Sequence, residues 1–342
     1  MRDKNKQILL ARRPQGAPEP GDFELVKTPA PEPGDGEFLA RTLYLSLDPY
    51  MRGRMNAERS YSAPVKIGGV MEGGTVSRVE VSNHRDYAAG DIVIGRAGWQ
   101  EYALSNGAGM RKVRAGNLPL STALGVLGMP GMTAYTGLLN IGQPKDGDTL
   151  VVAAASGAVG GIVGQIARIK GCRVVGVAGS RQKCRYVVEE LGFDACLNHH
   201  DDDFEAALAA ACPDGVDIYF ENVAGRVLRA VIPLFNFFAR MPVCGLISQY
   251  NAVGPSGEPD HLPALMRAML TNRIAMRGFI VTDFAAQQDD FLRDVGRWVA
   301  DGRIKYREHR VAGLEAAPQA LIGLLQGENF GKVIVEVSPA SG

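Results

Sequence analysis

At 342 residues the chain is longer than one hydrophobic core usually organises, so two domains are the natural expectation. Its 37 Lys and Arg balance 37 Asp and Glu, and no basic stripe or basic aromatic patch is present, which argues against a nucleic-acid partner. No apolar segment approaches membrane-spanning length, and residues 1–14 hold only a very short apolar core, so neither a membrane span nor a signal peptide is expected.

From the N-terminus to 126 the sequence reads as short strands broken by Gly and Pro. The clearest are EFLARTLYLSL (37–47), KIGGVMEGGTVSRVE (66–80) and DIVIGRAGWQEYAL (91–104), and their density suggests a small barrel or sandwich. PAPEPGDGE (29–37) is a polar, turn-rich connector. From 127 to 296 strand and helix patterns alternate, which predicts an α/β domain with a parallel sheet. Its strands are expected at 148–155, 172–180, 215–223, 239–248 and 273–281. Residues 297–342 end in the strand-like KVIVEV (332–337) and are expected to return to the first domain.

The segment 148–183 is the most informative. DTLVVAAA (148–155) is a continuous apolar run, as expected of a central parallel strand buried on both faces. SGAVGGIVG (156–164) then turns the chain and opens a helix, and CRVVGVAGS (172–180) is a second buried run. This is a mononucleotide-binding βαβ unit. Gly157 and Gly160 stand as the second and third glycines of the dinucleotide fingerprint, with Ala155 in the place of the first. Gly157 lets the backbone approach a pyrophosphate, and Gly160 lets the helix lie close on the strand. With Ala158 and Val159 they form a turn whose helix N-terminus offers N–H groups to an anion. The alternative is a glycine-rich helix packed on any sheet.

NAD-preferring sites place an acid at the end of the second strand, on the ribose 2′-hydroxyl. Residues 171–188 contain no acid, and 179–183 read Gly-Ser-Arg-Gln-Lys. Cationic and hydroxyl donors suit a 2′-phosphate, which a carboxylate would repel. The pattern favours NADP(H), with ordinary surface charges on a first helical turn as the alternative. The five cysteines, Cys172, Cys184, Cys196, Cys212 and Cys244, include no CxxC pair and suit reduced thiols in a cytoplasmic protein.

Several motifs in this order carry a family resemblance: SLDPYMRGRM (46–55), MPGMTAY (129–135), AASGAVGGIVGQIA (154–167), FENV (220–223), CGLISQYN (244–251) and GENFGK (327–332). They resemble the zinc-independent medium-chain dehydrogenase/reductases. The branch is that of the leukotriene B4 dehydrogenase/prostaglandin reductases, alkenal double-bond reductases and bacterial curcumin reductases. The resemblance covers nearly the whole chain. It implies a GroES-like β-barrel (1–126) joined to a Rossmann doubly wound parallel sheet (127–296), with 297–342 returning to the barrel. It also implies a homodimer, NADPH, and reduction of the C=C bond of small-molecule enones and enals.

By the same resemblance Lys183 matches a lysine on the 2′-phosphate. His199, with His200 beside it, stands where several relatives place a tyrosine near that phosphate; an exposed loop histidine is the alternative. Asn222 matches an asparagine near the nicotinamide ribose. Cys244, Leu246 and Tyr250, with Phe279, Ile280 and Val281, match strand ends lining the nicotinamide. Asn329 matches a further cofactor contact. One departure is Ala224, where the family commonly has glycine.

Zinc enzymes of this superfamily need an early Cys ligand and a Gly-His-Glu motif. Here those neighbourhoods read Ser46-Leu47-Asp48 and GGVME (68–72), so no metal is expected. Hydride addition to an enone develops enolate charge on the carbonyl oxygen, which needs a hydrogen-bond donor and the exclusion of water. Tyr250 matches the family tyrosine proposed to reach that oxygen, and Tyr61 a second tyrosine facing the substrate in some relatives. Tyr50 belongs to the same wall by resemblance, or packs after a turn. A quinone reductase and a non-catalytic NADPH-binding sensor are the competing readings.

Overall fold

The computed structural model describes residues 4–58, 60–113, 118–254 and 260–339. Met1–Gly125 and Glu308–Gly342 gather into one unit, and Val126–Arg307 into another. In the first unit lie strands β1 (Asn5–Leu10), β2 (Phe23–Thr28), β3 (Phe38–Ser46), β4 (Thr75–Ser82), β5 (Ile92–Gly95), β6 (Tyr102–Ser105) and β7 (Arg111–Lys112), with helix α1 (Tyr50–Arg54). The second unit holds β8 (Thr149–Ala153), β9 (Arg173–Ala178), β10 (Ala195–Asn198), β11 (Val216–Phe220), β12 (Phe235–Val243) and β13 (Ala275–Gly278). Its helices are α2 (Met129–Thr136), α3 (Gly160–Ile169), α4 (Arg181–Glu189), α5 (Phe204–Ala211), α6 (Gly225–Val231), α7 (Leu262–Asn272) and α8 (Gln288–Ala300). The tail adds β14 (Glu308–Ala312), α9 (Ala317–Leu325) and β15 (Lys332–Glu336).

The tail completes the first unit's sheet, whose order is β14-β15-β3-β4-β5-β7 with β6 also on β3. The long apolar β3 is almost wholly buried between its neighbours. Leu45, Leu47 and Met51 pack with Trp99, Leu321 and Val335, so tail and N-terminal segment share one core. A buried ammonium fastens the joint: Lys332 Nζ donates to the carbonyls of Leu47 at 2.6 Å and Val333 at 3.0 Å, and lies 3.1 Å from Asp48 Oδ1. A buried charge with that many partners is costly to unpair.

All six strands of the second sheet are parallel, in the order β10-β9-β8-β11-β12-β13. That is the doubly wound Rossmann order, and it reverses between β8 and β11. Val151 and Ala153 of β8 face Phe204 of α5 and Val227 and Val231 of α6. Leu150 and Val152, which point the other way, are equally buried. Covering both faces with helices is what makes the run 150–155 continuously apolar.

Sequence pattern and structure differ at several points. β10 and β14 lie outside the expected strands: β10 has only four residues, and β14 reads EHRVA, a charged edge strand without apolar alternation. The expected strand 239–248 begins earlier, as β12 from Phe235, and ends at Val243. The expected strand 66–80 keeps its shape only from Thr75, because its glycine-rich half turns. The expected strand 91–104 divides into β5 and β6. The return to the first unit begins at Glu308 rather than 297, since α8 stays in the second unit. There Asp294 accepts from Tyr135 Oη at 2.8 Å, and the Gln165 amide grips the backbone of Lys305 at 2.8 and 2.9 Å.

Candidate functional site

Open parallel sheets bind ligands where the strand order reverses, beyond the C-terminal ends of the strands. In the second unit that place is the pair β8 and β11. β8 ends in a turn at which Ala154 takes φ +54°, and the Gly157 N–H donates to the Ala154 carbonyl at 2.9 Å. A Cβ on Gly160 would stand 2.4 Å from that carbonyl oxygen, so only glycine lets α3 start this close to the strand. A Cβ on Gly157 would meet the same oxygen at 3.0 Å. Ala158 and Val159 are part-exposed between them, and α3 begins at Gly160, the N–H of Gly161 donating to the Gly157 carbonyl at 3.1 Å and those of Ile162 and Val163 to the Val159 carbonyl at 3.0 Å. Farther along α3, a Cβ on Gly164 would fall 1.9 Å from the Phe193 ring, which keeps helix and sheet in close contact.

A cationic cluster closes the β9 end. Ser180 caps α4 by accepting the Lys183 N–H at 3.3 Å, which sets Lys183 in the first turn. Burial lowers the pKa of its ammonium. The His199 N–H donates to the Ala178 carbonyl at 3.1 Å, and its ring lies against that of His200 with centroids 4.0 Å apart. A Cβ on Gly179 would sit 3.4 Å from His199 Nε2 and 3.8 Å from His200 Nε2. The His199 imidazole is pushed down to about 4, first by burial and then by the charges of His200, Arg226 and Lys183. Burial is the leading cause for His199 and the cause for Lys183, and a bound phosphate would favour the charged form of both. Arg181, the other expected cation, is exposed and lies 3.9 Å from Asp201.

Glu221 and Asn222 follow directly on β11. The Asn222 side chain donates to the Ala153 carbonyl at 2.9 Å and so ties the two strand ends across the reversal. Glu221 is fully buried, and its Oε1 accepts the N–H groups of Val223 at 2.6 Å and Ala224 at 2.8 Å. Burial raises its pKa. The turn it holds puts Ala224 at φ +67° and ψ −154°, the glycine-like conformation behind the family's usual residue there.

The loop after β12 hangs on this turn. The Glu221 carbonyl accepts from Cys244 at 2.9 Å and Gly245 at 3.2 Å. That of Asn222 accepts from Ile247 at 3.2 Å, and that of Val223 from Ser248 at 3.1 Å. Tyr250 folds back over the loop, its hydroxyl accepting the Leu246 N–H at 3.4 Å. The Cys244 thiol is pushed up to about 12 by burial and by Glu221, which makes it a poor nucleophile. After β13, Phe279 is buried edge-on against Phe220 and Phe284, a packing role. Ile280 and Val281 are part-exposed, and the Ile280 N–H donates to Asp283 at 3.0 Å.

Tyr61 and Asn329 belong to the first unit. Tyr61 is 60% exposed with the Arg54 guanidinium 4.2 Å from its ring, and Arg54 in turn lies 3.6 Å from Glu72. The Asn329 side chain donates to the Gly331 carbonyl at 2.7 Å. Tyr50 is largely buried, and its phenol pKa is raised by burial. Sequence reasoning passed over Glu221 and Arg226. An acid ending an apolar strand run was the available signal for the first, and Arg226 had none.

Among the described residues no three His, Cys, Asp or Glu side chains gather to hold a metal, and no helix is long and apolar enough to cross a membrane.

Two family descriptions match the chain: "N-terminal domain of oxidoreductase" over residues 6–113 and "Zinc-binding dehydrogenase" over residues 158–300. The chain is 57% identical to NADPH-dependent curcumin reductase of Escherichia coli (strain K12) over 340 residues, 98% of each chain. It is 43% identical to prostaglandin reductase 1 of Rattus norvegicus over 336 residues, 97% of this chain and 98% of the relative. Among solved structures it is similar to CurA from Vibrio vulnificus in complex with NADPH. There the TM-score is 0.94 at 53% identity, covering 98% of this chain and 99% of that one.

Proposed function

The chain belongs to the zinc-independent medium-chain dehydrogenase/reductases, in the branch of the prostaglandin and curcumin reductases, and on that footing we propose that it uses NADPH to reduce the C=C bond of α,β-unsaturated ketones and aldehydes. The observation that carries this reading is the Glu221-held turn, which hangs the Tyr250 loop at the sheet's reversal point. The turn 157–160 holds the pyrophosphate on the start of α3. Lys183 and His199 hold the 2′-phosphate. Asn222 orients the ribose end, and Cys244, Leu246, Ile280 and Val281 wall the nicotinamide and exclude water. When bound, NADPH supplies the hydride that the substrate's β carbon accepts. Tyr250 donates a hydrogen bond to the carbonyl oxygen on which enolate charge grows, which is where a placed donor lowers the barrier most. A phenol can accept the Leu246 N–H and still act as donor.

The test follows nicotinamide absorbance with NADPH and NADH against an enal, an enone, a curcuminoid and a quinone, with products identified by mass. The reading requires a saturated carbonyl product and preference for NADPH. Quinone turnover alone, or reduction of the carbonyl to an alcohol, would overturn it.

The same reading includes a homodimer built on β13. This strand ends the sheet with all four residues exposed, next to Leu270, 80% exposed, and Phe237, 66% exposed. Val216 lies opposite Phe235 and Ile218 opposite Arg240, so β12 bulges between and carries Phe237 and Phe238 outward. Arg273 lies 4.6 and 4.5 Å from their rings. An open edge beside so much apolar surface suits a second copy paired edge to edge. Sedimentation equilibrium should give a dimer, and Met276→Asp with Leu270→Asp a monomer. A monomeric parent protein would refute this.

A further inference from the structure

Residues 199–203 read His-His-Asp-Asp-Asp, two imidazoles followed at once by three carboxylates. Which of these meets a phosphate decides whether the loop attracts or repels it. The chain turns here, with the Asp201 N–H donating to the Asn198 carbonyl at 3.1 Å and that of Phe204 to the Asp201 carbonyl at 3.2 Å, so a slip by one residue would put a carboxylate where an imidazole stands. The register of this loop therefore controls the sign of the charge beside Lys183.

Arg226, at the start of α6, clamps that register. Its Nη1 donates to the His199 carbonyl at 2.9 Å and its Nη2 to the Asp201 carbonyl at 3.1 Å, gripping the backbone on both sides of His200. The guanidinium is itself held by Glu205 of α5, through Nε at 3.1 Å and Nη2 at 2.9 Å. It also lies 5.5 Å from the Phe204 ring. The Asp201 carboxylate is drawn off by Asn198 Nδ2 at 2.6 Å, with Arg181 3.9 Å away. Arg226 pairs with Glu205, whose carboxyl it holds down to about 2, and its planar fork joins α6, α5 and the loop in a way a lysine cannot reproduce.

We propose that Arg226 is the positioning residue for NADPH selectivity, fixing the 199–203 loop so that its imidazoles and not its carboxylates meet the 2′-phosphate. The proposal rests on the reading that Lys183 and His199 hold that phosphate.

Fluorescence titration measures the Kd of NADPH and NADH for the parent protein, Arg226→Ala, Arg226→Lys, His199→Ala and the Arg226→Lys/His199→Ala pair. Thermal melting confirms that each variant is folded. Both Arg226 variants should weaken NADPH roughly tenfold, about the worth of one hydrogen bond to a charged group, and leave NADH within about twofold. Combining Arg226→Lys with His199→Ala should cost less than the two losses added, because one acts through the other. Three results overturn the proposal: unchanged NADPH affinity in the Arg226 variants, full rescue by Lys, which would make the effect one of charge, or equal loss for both cofactors. If His199→Ala leaves NADPH affinity untouched, the phosphate reading fails and the proposal falls with it. If His199→Ala weakens NADPH while the Arg226 variants do not, only the proposal fails.

Discussion

Ala224 offers the sharpest test of how the site is built. Its φ of +67° and ψ of −154° lie in a region that is essentially glycine-only, and residues held there carry about 1–3 kcal/mol of strain. The strain persists because the buried Glu221 carboxylate draws in the N–H groups of Val223 and Ala224. Ala224→Gly removes it. Two losses oppose the gain. Glycine's greater freedom in the unfolded chain costs about 0.4–1 kcal/mol. The methyl group, on a residue only 8% exposed, contributes up to about 0.8 kcal/mol of burial. With the strain at the upper end of its range, as ψ here implies, the substitution should stabilise by about 1 kcal/mol. For a unit of this size that is a rise in Tm of about 2–4 °C. Thermal and urea unfolding of the cofactor-free protein measure it, and Ala224→Val should move the other way, since a β-branched residue tolerates positive φ least. A Tm that falls in Ala224→Gly would show that the turn is relaxed with alanine and that Glu221 holds nothing strained.

Tyr250→Phe should lower kcat roughly 100-fold with little change in NADPH affinity, the usual effect of losing one donor to a developing oxyanion; parental turnover would remove Tyr250 from the chemistry. Lys183→Ala should weaken NADPH by about 1.5–3 kcal/mol, roughly 10- to 150-fold, and barely affect NADH. Equal losses by titration would point to damage to α4 instead. His199 gives a pH signature. Its folded pKa of about 4 lies below the ordinary 6.5, so the unfolded chain binds the extra proton between those values. Stability must then fall as the pH drops from about 6.5 toward 4, and His199→Gln should flatten that limb of the Tm-against-pH curve. An unchanged slope would contradict the burial of His199 beside Lys183 and Arg226.

The sequence by itself determined the class of the fold and the glycine turn that starts α3. Both are local or periodic: a strand buried on two faces must be apolar throughout, and the close start of α3 demands glycine at 160 whatever else surrounds it. The missing acid after β9 was equally readable, because one side chain at a known offset decides it. What it left open depended on groups far apart in the chain. The short β10 and the charged β14 lack alternation and are strands only through their partners β9 and β15. Arg226 looks like any helix-start cation until α5 brings Glu205 to it and the 199–203 loop presents two carbonyls. Glu221 likewise gains its meaning when β12 delivers Cys244 and Gly245 to its own carbonyl. Backbone hydrogen bonds carry no side-chain signature, so only the tertiary structure decided which residues hold the Tyr250 loop and the 199–203 loop in place.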